Sequence, residues 1–118
     1  MLLNLSNHPS LNWSSTQLSA AQEAYGGVTD LPFPAIDPTW TKQEIQTLAE
    51  QYVATILGMS PVPEAVHLMG ELTFSFALVK LLKARGITCV ASTARRQVVE
   101  KAPGHKEAIF EFVQFRAY

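Results

Sequence analysis

This sequence of 118 residues has one cysteine, little net charge and no long apolar run. Cys89 cannot form an intramolecular disulfide, and its place in an apolar stretch favours a buried structural thiol in a reducing compartment. No stretch approaches the roughly 18 apolar residues of a membrane span, and the first residues lack the pattern of a signal peptide. We therefore expect a cytoplasmic protein with no membrane partner.

The charge balance also limits the class of partner. Nine Lys and Arg residues stand against ten Asp and Glu residues, which gives a net charge of -1 and no overall basic field for long nucleic acid. The hydrophobic share of 47% and charged share of 16% are typical of a globular chain rather than a disordered one. At this length we expect one domain, residues 1–118.

Several chemical motifs are missing. The chain has no Gly-x-x-x-x-Gly-Lys-Ser/Thr P-loop, no Gly-x-Gly-x-x-Gly dinucleotide fingerprint and no Gly-x-Ser-x-Gly nucleophile elbow. It also has no Cys or His cluster and no paired-carboxylate motif. We therefore expect no metal, no cofactor and no covalent hydrolysis of the familiar types.

The first half of the chain alternates between strand and helix patterns. Residues 2–6 are apolar and stop at Asn-His-Pro, which predicts a strand. Ser14 begins a capping-box pattern that predicts a helix ending at Gly26, and residues 28–31 favour a second short strand. Thr41 begins another capping box, and apolar residues at helical spacing predict the clearest amphipathic helix over residues 45–57.

The second half predicts a βαβ unit followed by a hairpin. Residues 65–69 read as a strand, residues 72–82 as a buried helix and residues 87–91 as a strand covered on both faces. Residues 97–101 and 108–115 flank Pro103-Gly104 and read as a β-hairpin. The predicted fold is a three-layer, Rossmann-like α/β domain with a mostly parallel mixed sheet and a C-terminal antiparallel hairpin.

Ligands of open parallel sheets collect at the carboxyl ends of the strands. One such end carries Ser6, Asn7 and His8 after the first strand. His8 is a candidate to donate a hydrogen bond to a phosphate or to move a proton, and a role in stabilising the turn is the alternative. We expect His67, inside an apolar run, to be a core histidine and His105, in the hairpin turn, to face solvent.

Two further segments follow the other strands. Gly70, Glu71 and Thr73 lie where a glycine turn enters a helix, so free amides there either bind an anion or belong to a capped tight turn. The segment after the next strand comprises Ser92, Thr93, Arg95 and Arg96. Its hydroxyl and guanidinium groups together match the geometry of phosphate. The alternative is that one arginine is a solvated residue of the hairpin and only the other turns inward.

Four stretches of the chain resemble the small CRISPR-associated Rossmann-fold (CARF-like) proteins, in particular the stand-alone ring nucleases of type III CRISPR systems. These stretches are LLNLSNHP, DLPFPAIDP, VHLMGELTF and CVASTARR, and together they follow most of the chain in order. The resemblance implies a homodimer whose strand ends bind a cyclic oligoadenylate second messenger, often with four adenylates. It also implies metal-independent cleavage, in which a ribose 2'-hydroxyl is held in line with the adjacent phosphate.

The same resemblance assigns roles to the strand-end residues. His8, Arg95 and Arg96 become the catalytic candidates, and the contacts to the ligand fall to Ser6, Asn7, Gly70, Glu71, Thr73, Ser92 and Thr93. Glu71 departs from this scheme because it places a negative charge beside a polyanion. Trp13, Phe33 and Trp40 either stack on adenines or belong to the loop core.

The implied function is to degrade the messenger and so end antiviral signalling. A protein that only holds the messenger, as a sponge or sensor, is an alternative reading of the same residues. A binder of another phosphorylated nucleotide is a further alternative, since the fold supports many functions. A structural subunit that pairs through its aromatic last strand is the fourth.

Overall fold

A computed structural model describes residues 1–118 and contains one five-stranded sheet and three α-helices. The strands lie in the order β2-β1-β3-β4-β5, and all neighbours are parallel except the antiparallel pair β4 and β5. The elements in chain order are β1 (Leu2–Ser6), α1 (Ser15–Tyr25), β2 (Val28–Asp30), α2 (Lys42–Leu57), β3 (Ala65–Met69), α3 (Leu72–Ala84), β4 (Thr88–Ala102) and β5 (His105–Ala117).

Local sequence signals determine where the helices begin. Ser14 caps α1 by accepting a hydrogen bond from the Gln17 amide at 3.2 Å. Thr41 and Glu44 form both bonds of a capping box ahead of α2, as their spacing predicted. Gly26 ends α1 in the left-handed conformation, at φ +76°, where a side chain would be strained.

The helices cover the two faces of the sheet unequally. On one face α2 and α3 pack on Leu3, Leu5 and Val66 and form a core cluster of 14 buried residues. On the other face α1 packs on a cluster of only five buried residues, which includes Leu2 and Trp13. The three-layer, Rossmann-like α/β arrangement with a mixed sheet is therefore confirmed.

The fourth strand is longer than expected. We predicted a strand over residues 87–91, a segment after the end of that strand over residues 92–96 and a hairpin strand over residues 97–101. Instead, β4 continues without interruption to Ala102. The pairing with β5 supports this continuation, because it runs from Val90 opposite Ala117 to Ala102 opposite His105. The segment that we placed after the strand is thus the middle of a strand.

The outer part of this pair extends past the parallel sheet. β3 pairs with β4 only as far as His67 opposite Val90, so residues further along β4 have β5 as their single neighbour. We call residues 94–113 the arm. The largest dimension of the molecule is 51 Å. None of the helices α1, α2 and α3 combines the length and the apolar character that a membrane-spanning helix needs.

Candidate functional site at the strand ends

The middle of the sheet contains a topological switch point between β1 and β3. The chain leaves β1 towards α1 on one face, whereas it leaves β3 towards α3 on the other face. In open α/β sheets, the strand ends at such a point border a crevice in which ligands bind. Asn7 follows β1 and Gly70 follows β3, so both lie at this crevice.

Met69 joins three of the segments that the sequence singled out. Its carbonyl oxygen accepts a hydrogen bond from the Asn7 amide at 3.2 Å. Its sulfur lies 3.3 Å from the amide nitrogen and 3.1 Å from the hydroxyl oxygen of Ser92. The structure therefore brings Asn7, Gly70 and Ser92 to the same edge of the parallel sheet, although Ser92 lies within β4 and not after its end.

Asn4 holds the end of β1 and the following loop in place. Its Nδ2 donates to the carbonyl oxygen of His8 and to Oδ1 of Asp30, each at 2.9 Å. Its Oδ1 accepts from Ser6 Oγ at 2.8 Å and lies 2.9 Å from Nδ1 of His67. All four hydrogen-bonding positions of this buried amide are used, so Asn4 ties β1 to β2, to β3 and to the following loop.

The loop after β1 is held in place by hydrogen bonds of its backbone. The His8 carbonyl oxygen accepts from Trp13 Nε1 at 3.0 Å as well as from Asn4, and the His8 amide donates to Ser6 Oγ at 3.2 Å. The Asn7 and His8 side chains are exposed. Ser6, a predicted ligand contact, is buried, and its hydroxyl serves this internal network instead.

Gly70 leaves room for an aromatic ring. A Cβ at this position would lie 2.3 Å from Cε2 and Cζ of Phe33. The Phe33 ring also meets Phe74 edge to face, with centroids 5.4 Å apart. The Phe33 ring therefore occupies the space beside Gly70 that a side chain would otherwise fill.

Glu71 caps helix α3. Its carboxylate accepts from the amides of Thr73 at 2.7 Å and Phe74 at 3.0 Å, and from the Thr73 hydroxyl at 2.7 Å. These hydrogen bonds, led by that from the Thr73 hydroxyl, lower the pKa of Glu71. The amides that we considered for anion binding already have an anionic partner, so the capped turn describes this segment.

The arginines of β4 lie on the arm. Because side chains alternate along a strand, Ser92 and Arg96 share one face, and Thr93 and Arg95 share the other. Arg95 stands opposite Glu111, and Arg96 stands opposite Phe110. Both arginines are exposed, so each face of the arm presents one of them.

The three aromatic candidates for base stacking differ in exposure. Trp13 is buried, and Phe33 is packed against Gly70, so both belong to the core of their loops. Trp40 is 38% exposed and lines a groove of about 660 Å³ on the outer side of α2 and α3. Thr73 also lines this groove, together with Lys42, Lys80, Leu72 and Phe76, whereas Asn7, His8 and Ser92 do not.

His67 lies in the core as predicted, but only one of its two ring nitrogens has a hydrogen-bond partner. Asn4 Oδ1 accepts hydrogen bonds, so Nδ1 of His67 carries the proton and Nε2 does not. Nε2 is buried without a partner, near the rings of Trp13 and Phe115, whose centroids lie 5.1 and 5.6 Å from that of the imidazole. Burial, with the nearby charge of His8, lowers the pKa of His67 to about 4.

Cys89 is a buried free thiol, as predicted. Burial raises its pKa to about 11. His105 is exposed at the start of β5, also as predicted. No group of three or more His, Cys, Asp or Glu side chains is arranged to hold a metal ion.

Sequence reasoning missed Asn4 and Asp30. Asp30 links the strand ends to the loop because its carboxylate accepts from the Ser10 hydroxyl at 2.9 Å and from Asn4. The one available signal was an amide side chain inside the apolar run LLNLS, since a polar residue on a buried strand requires partners.

Comparison with known proteins assigns the chain to a family. A family model described as "Uncharacterized protein MJ1673 family" matches residues 1–116. Because the match covers almost the whole sequence, the chain belongs to the MJ1673 family. Neither the curated proteins nor the solved structures include a match.

Proposed function

We propose that this member of the MJ1673 family binds a cyclic oligoadenylate at the strand-end crevice and cleaves it without a metal ion. The observation that carries the proposal is the pair of exposed side chains, Asn7 and His8, on a loop whose backbone is fixed at the switch point. The resemblance to ring nucleases supplies the class of ligand. The proposal includes a cytoplasmic location, a homodimer and a role in ending type III CRISPR signalling.

The chemistry requires positioning and charge stabilisation more than a strong nucleophile. The ribose 2'-oxygen attacks the adjacent phosphorus, the bond to the 5'-oxygen breaks, and a 2',3'-cyclic phosphate and a 5'-hydroxyl result. His8 takes the proton of the 2'-hydroxyl while water protonates the leaving 5'-oxygen, or water takes the first proton and His8 gives the second. Arg96 with the Ser92 hydroxyl on one face of β4, or Arg95 with the Thr93 hydroxyl on the other, contacts the phosphate oxygens and compensates the charge that develops there.

The direct test is to incubate the purified chain with cyclic tetra-adenylate and a chelator. Linear products are expected, and we expect His8→Ala to reduce their formation by at least tenfold while binding is retained. His105→Ala is the matched control, since this exposed histidine lies on the arm away from the crevice, and it should leave the rate unchanged. The proposal is refuted if the unmodified protein does not bind the cyclic tetra-adenylate and forms no linear product.

A protein that binds the messenger without cleaving it is the second candidate. One observation favours it. The imidazole of His67 is buried in the core, so His8 is the single exposed histidine at the crevice and no second imidazole is available to move a proton. Tight stoichiometric binding with no linear product would identify this function. Titration with cyclic oligoadenylates of different sizes would then define the preferred ring.

A further inference from the structure

The arm, residues 94–113, lacks a partner in the isolated chain. Two-stranded ribbons are at best marginally stable alone in water, and here the ribbon is exposed on both faces over most of its length. The radius of gyration is 16.1 Å, compared with about 13–14 Å for a compact chain of this length. The arm therefore extends the molecule and leaves apolar side chains uncovered.

One face of the arm continues the sheet face that α1 covers. By strand alternation this face carries Arg96 and Val98 of β4, and the residues opposite them on β5 are Phe110 and Ala108. Val98 is 53% exposed and Phe110 is 66% exposed. Phe112, half-buried at the base of the arm, connects this surface to the core, because its ring centroid lies 4.9 Å from that of Phe115.

The residues of this face are arranged symmetrically about the pair Val98 and Ala108. Two positions before Val98, Arg96 stands opposite Phe110, and two positions after it Glu100 stands opposite Lys106. A second arm laid face to face in the reverse direction, on a two-fold axis across the central pair, would place Arg96 against the partner's Glu100. Phe110 would meet the partner's Lys106. The face thus complements itself in charge and in cation–π contact.

We propose that two copies of this chain dimerise through this face of the arm, with the arms antiparallel. The partner is a second copy because the same patch supplies both members of each complementary pair. β4 leaves the body in the direction of the strand carboxyl ends, so the two crevices face each other from opposite ends of the paired arms. This interface is inferred from the arm alone and does not rest on the proposed ligand.

A pair of cysteine variants tests the face. Val98 and Val99 are neighbours on opposite faces of the arm, and Val98 lies at the proposed axis. Without ligand, the full chain should be a dimer in analytical ultracentrifugation. A bismaleimide reagent with a reach of about 10 Å, the spacing of two stacked sheets, should crosslink Val98→Cys into a dimer, and it should not crosslink Val99→Cys. A monomeric chain, a failure of Val98→Cys to crosslink, or equal crosslinking of Val99→Cys would each overturn the proposal.

Charge reversal tests the direction of the arms. Arg96→Glu and Glu100→Arg should each weaken dimerisation roughly tenfold, since each dimer contains the pair twice, and the double variant should recover it. Arg95→Glu, on the opposite face, is the control and should leave the dimer constant unchanged. Circular dichroism of each variant verifies that the body is folded. A double variant as weak as the single ones would overturn the antiparallel arrangement.

Discussion

Oδ1 of Asn4 lies 2.9 Å from Nδ1 of His67, although 63 positions separate the two residues in the chain. This contact joins the two strands that border the switch point, and the same amide holds the loop that presents His8. The core of the smaller face and the geometry of the crevice therefore depend on one hydrogen-bonded group.

The pH dependence of stability should reveal His67. Its pKa falls from 6.5 to about 4 on folding, so its contribution is complete above pH 6.5 and is lost as the pH falls towards 4. The loss approaches about 3 kcal/mol if the unfolded chain titrates normally. Denaturant unfolding at several pH values measures it. His67→Gln should flatten this part of the profile, and an unchanged slope in that variant would contradict the assignment.

Removing the Asn4 amide should be costly. Asn4→Ala leaves the His8 carbonyl oxygen, the Ser6 hydroxyl and His67 Nδ1 each without one partner in a mostly buried setting. We expect a loss of about 3 kcal/mol or more in the free energy of unfolding. Asn12→Ala, at an exposed position, should change that free energy by less than about 0.5 kcal/mol. Equal effects from the two variants would show that the network contributes little.

Substitution of Gly70 should be destabilising because of Phe33. The Cβ of Gly70→Ala would overlap the ring at 2.3 Å, and the resulting shift should cost about 1–3 kcal/mol. In a Phe33→Ala background the same substitution should cost much less, since the ring is absent. A double-mutant cycle of denaturation midpoints makes the measurement. Additive effects would indicate that Gly70 is required for another reason.

Glu71→Ala should separate stability from ligand binding. The loss of the cap should cost about 1 kcal/mol, because the Thr73 and Phe74 amides lose their acceptor. The folded pKa of Glu71 is depressed, so the cap acts fully above the normal pKa of 4.5 and weakens as the pH falls through the folded value. If the ligand phosphate approaches α3, the variant should bind it more tightly, and calorimetry would detect the change. An unchanged affinity would place the phosphate elsewhere.

Cys89 should be unreactive in the native protein. Its pKa is raised to about 11, so at mildly alkaline pH almost none of the buried group is thiolate. A colorimetric thiol reagent should detect no free thiol before denaturation and one afterwards. Rapid labelling of the folded chain would indicate an opening that the structure does not contain.

Local signals made much of the fold predictable. Thr41 and Glu44 lie three residues apart, so the capping box could be read directly from the sequence. β4 was misjudged because its exposed residues lose the apolar pattern after Ala91. That pattern reports burial, whereas the strand itself continues through pairing with β5, as Thr93 does with Gln114.

The candidate site was less predictable than the elements. The strand-end rule identified Asn7, Gly70 and Ser92, because the parallel order of the strands follows from the βαβ pattern. It could not identify the partners of Asn4, since Asp30 and His67 lie 26 and 63 positions away. Contacts between such distant residues depend on strand register, which no local pattern encodes.

The unequal cores on the two faces of the sheet also have a consequence for local unfolding. The His8 loop is anchored through Trp13, which belongs to the five-residue cluster beneath α1, and not to the 14-residue core. In native-state hydrogen exchange, the amides of α1 should therefore open at lower free energy than those of α2 and α3. The lifetime of an ordered crevice is then set by this partial opening and not by global unfolding.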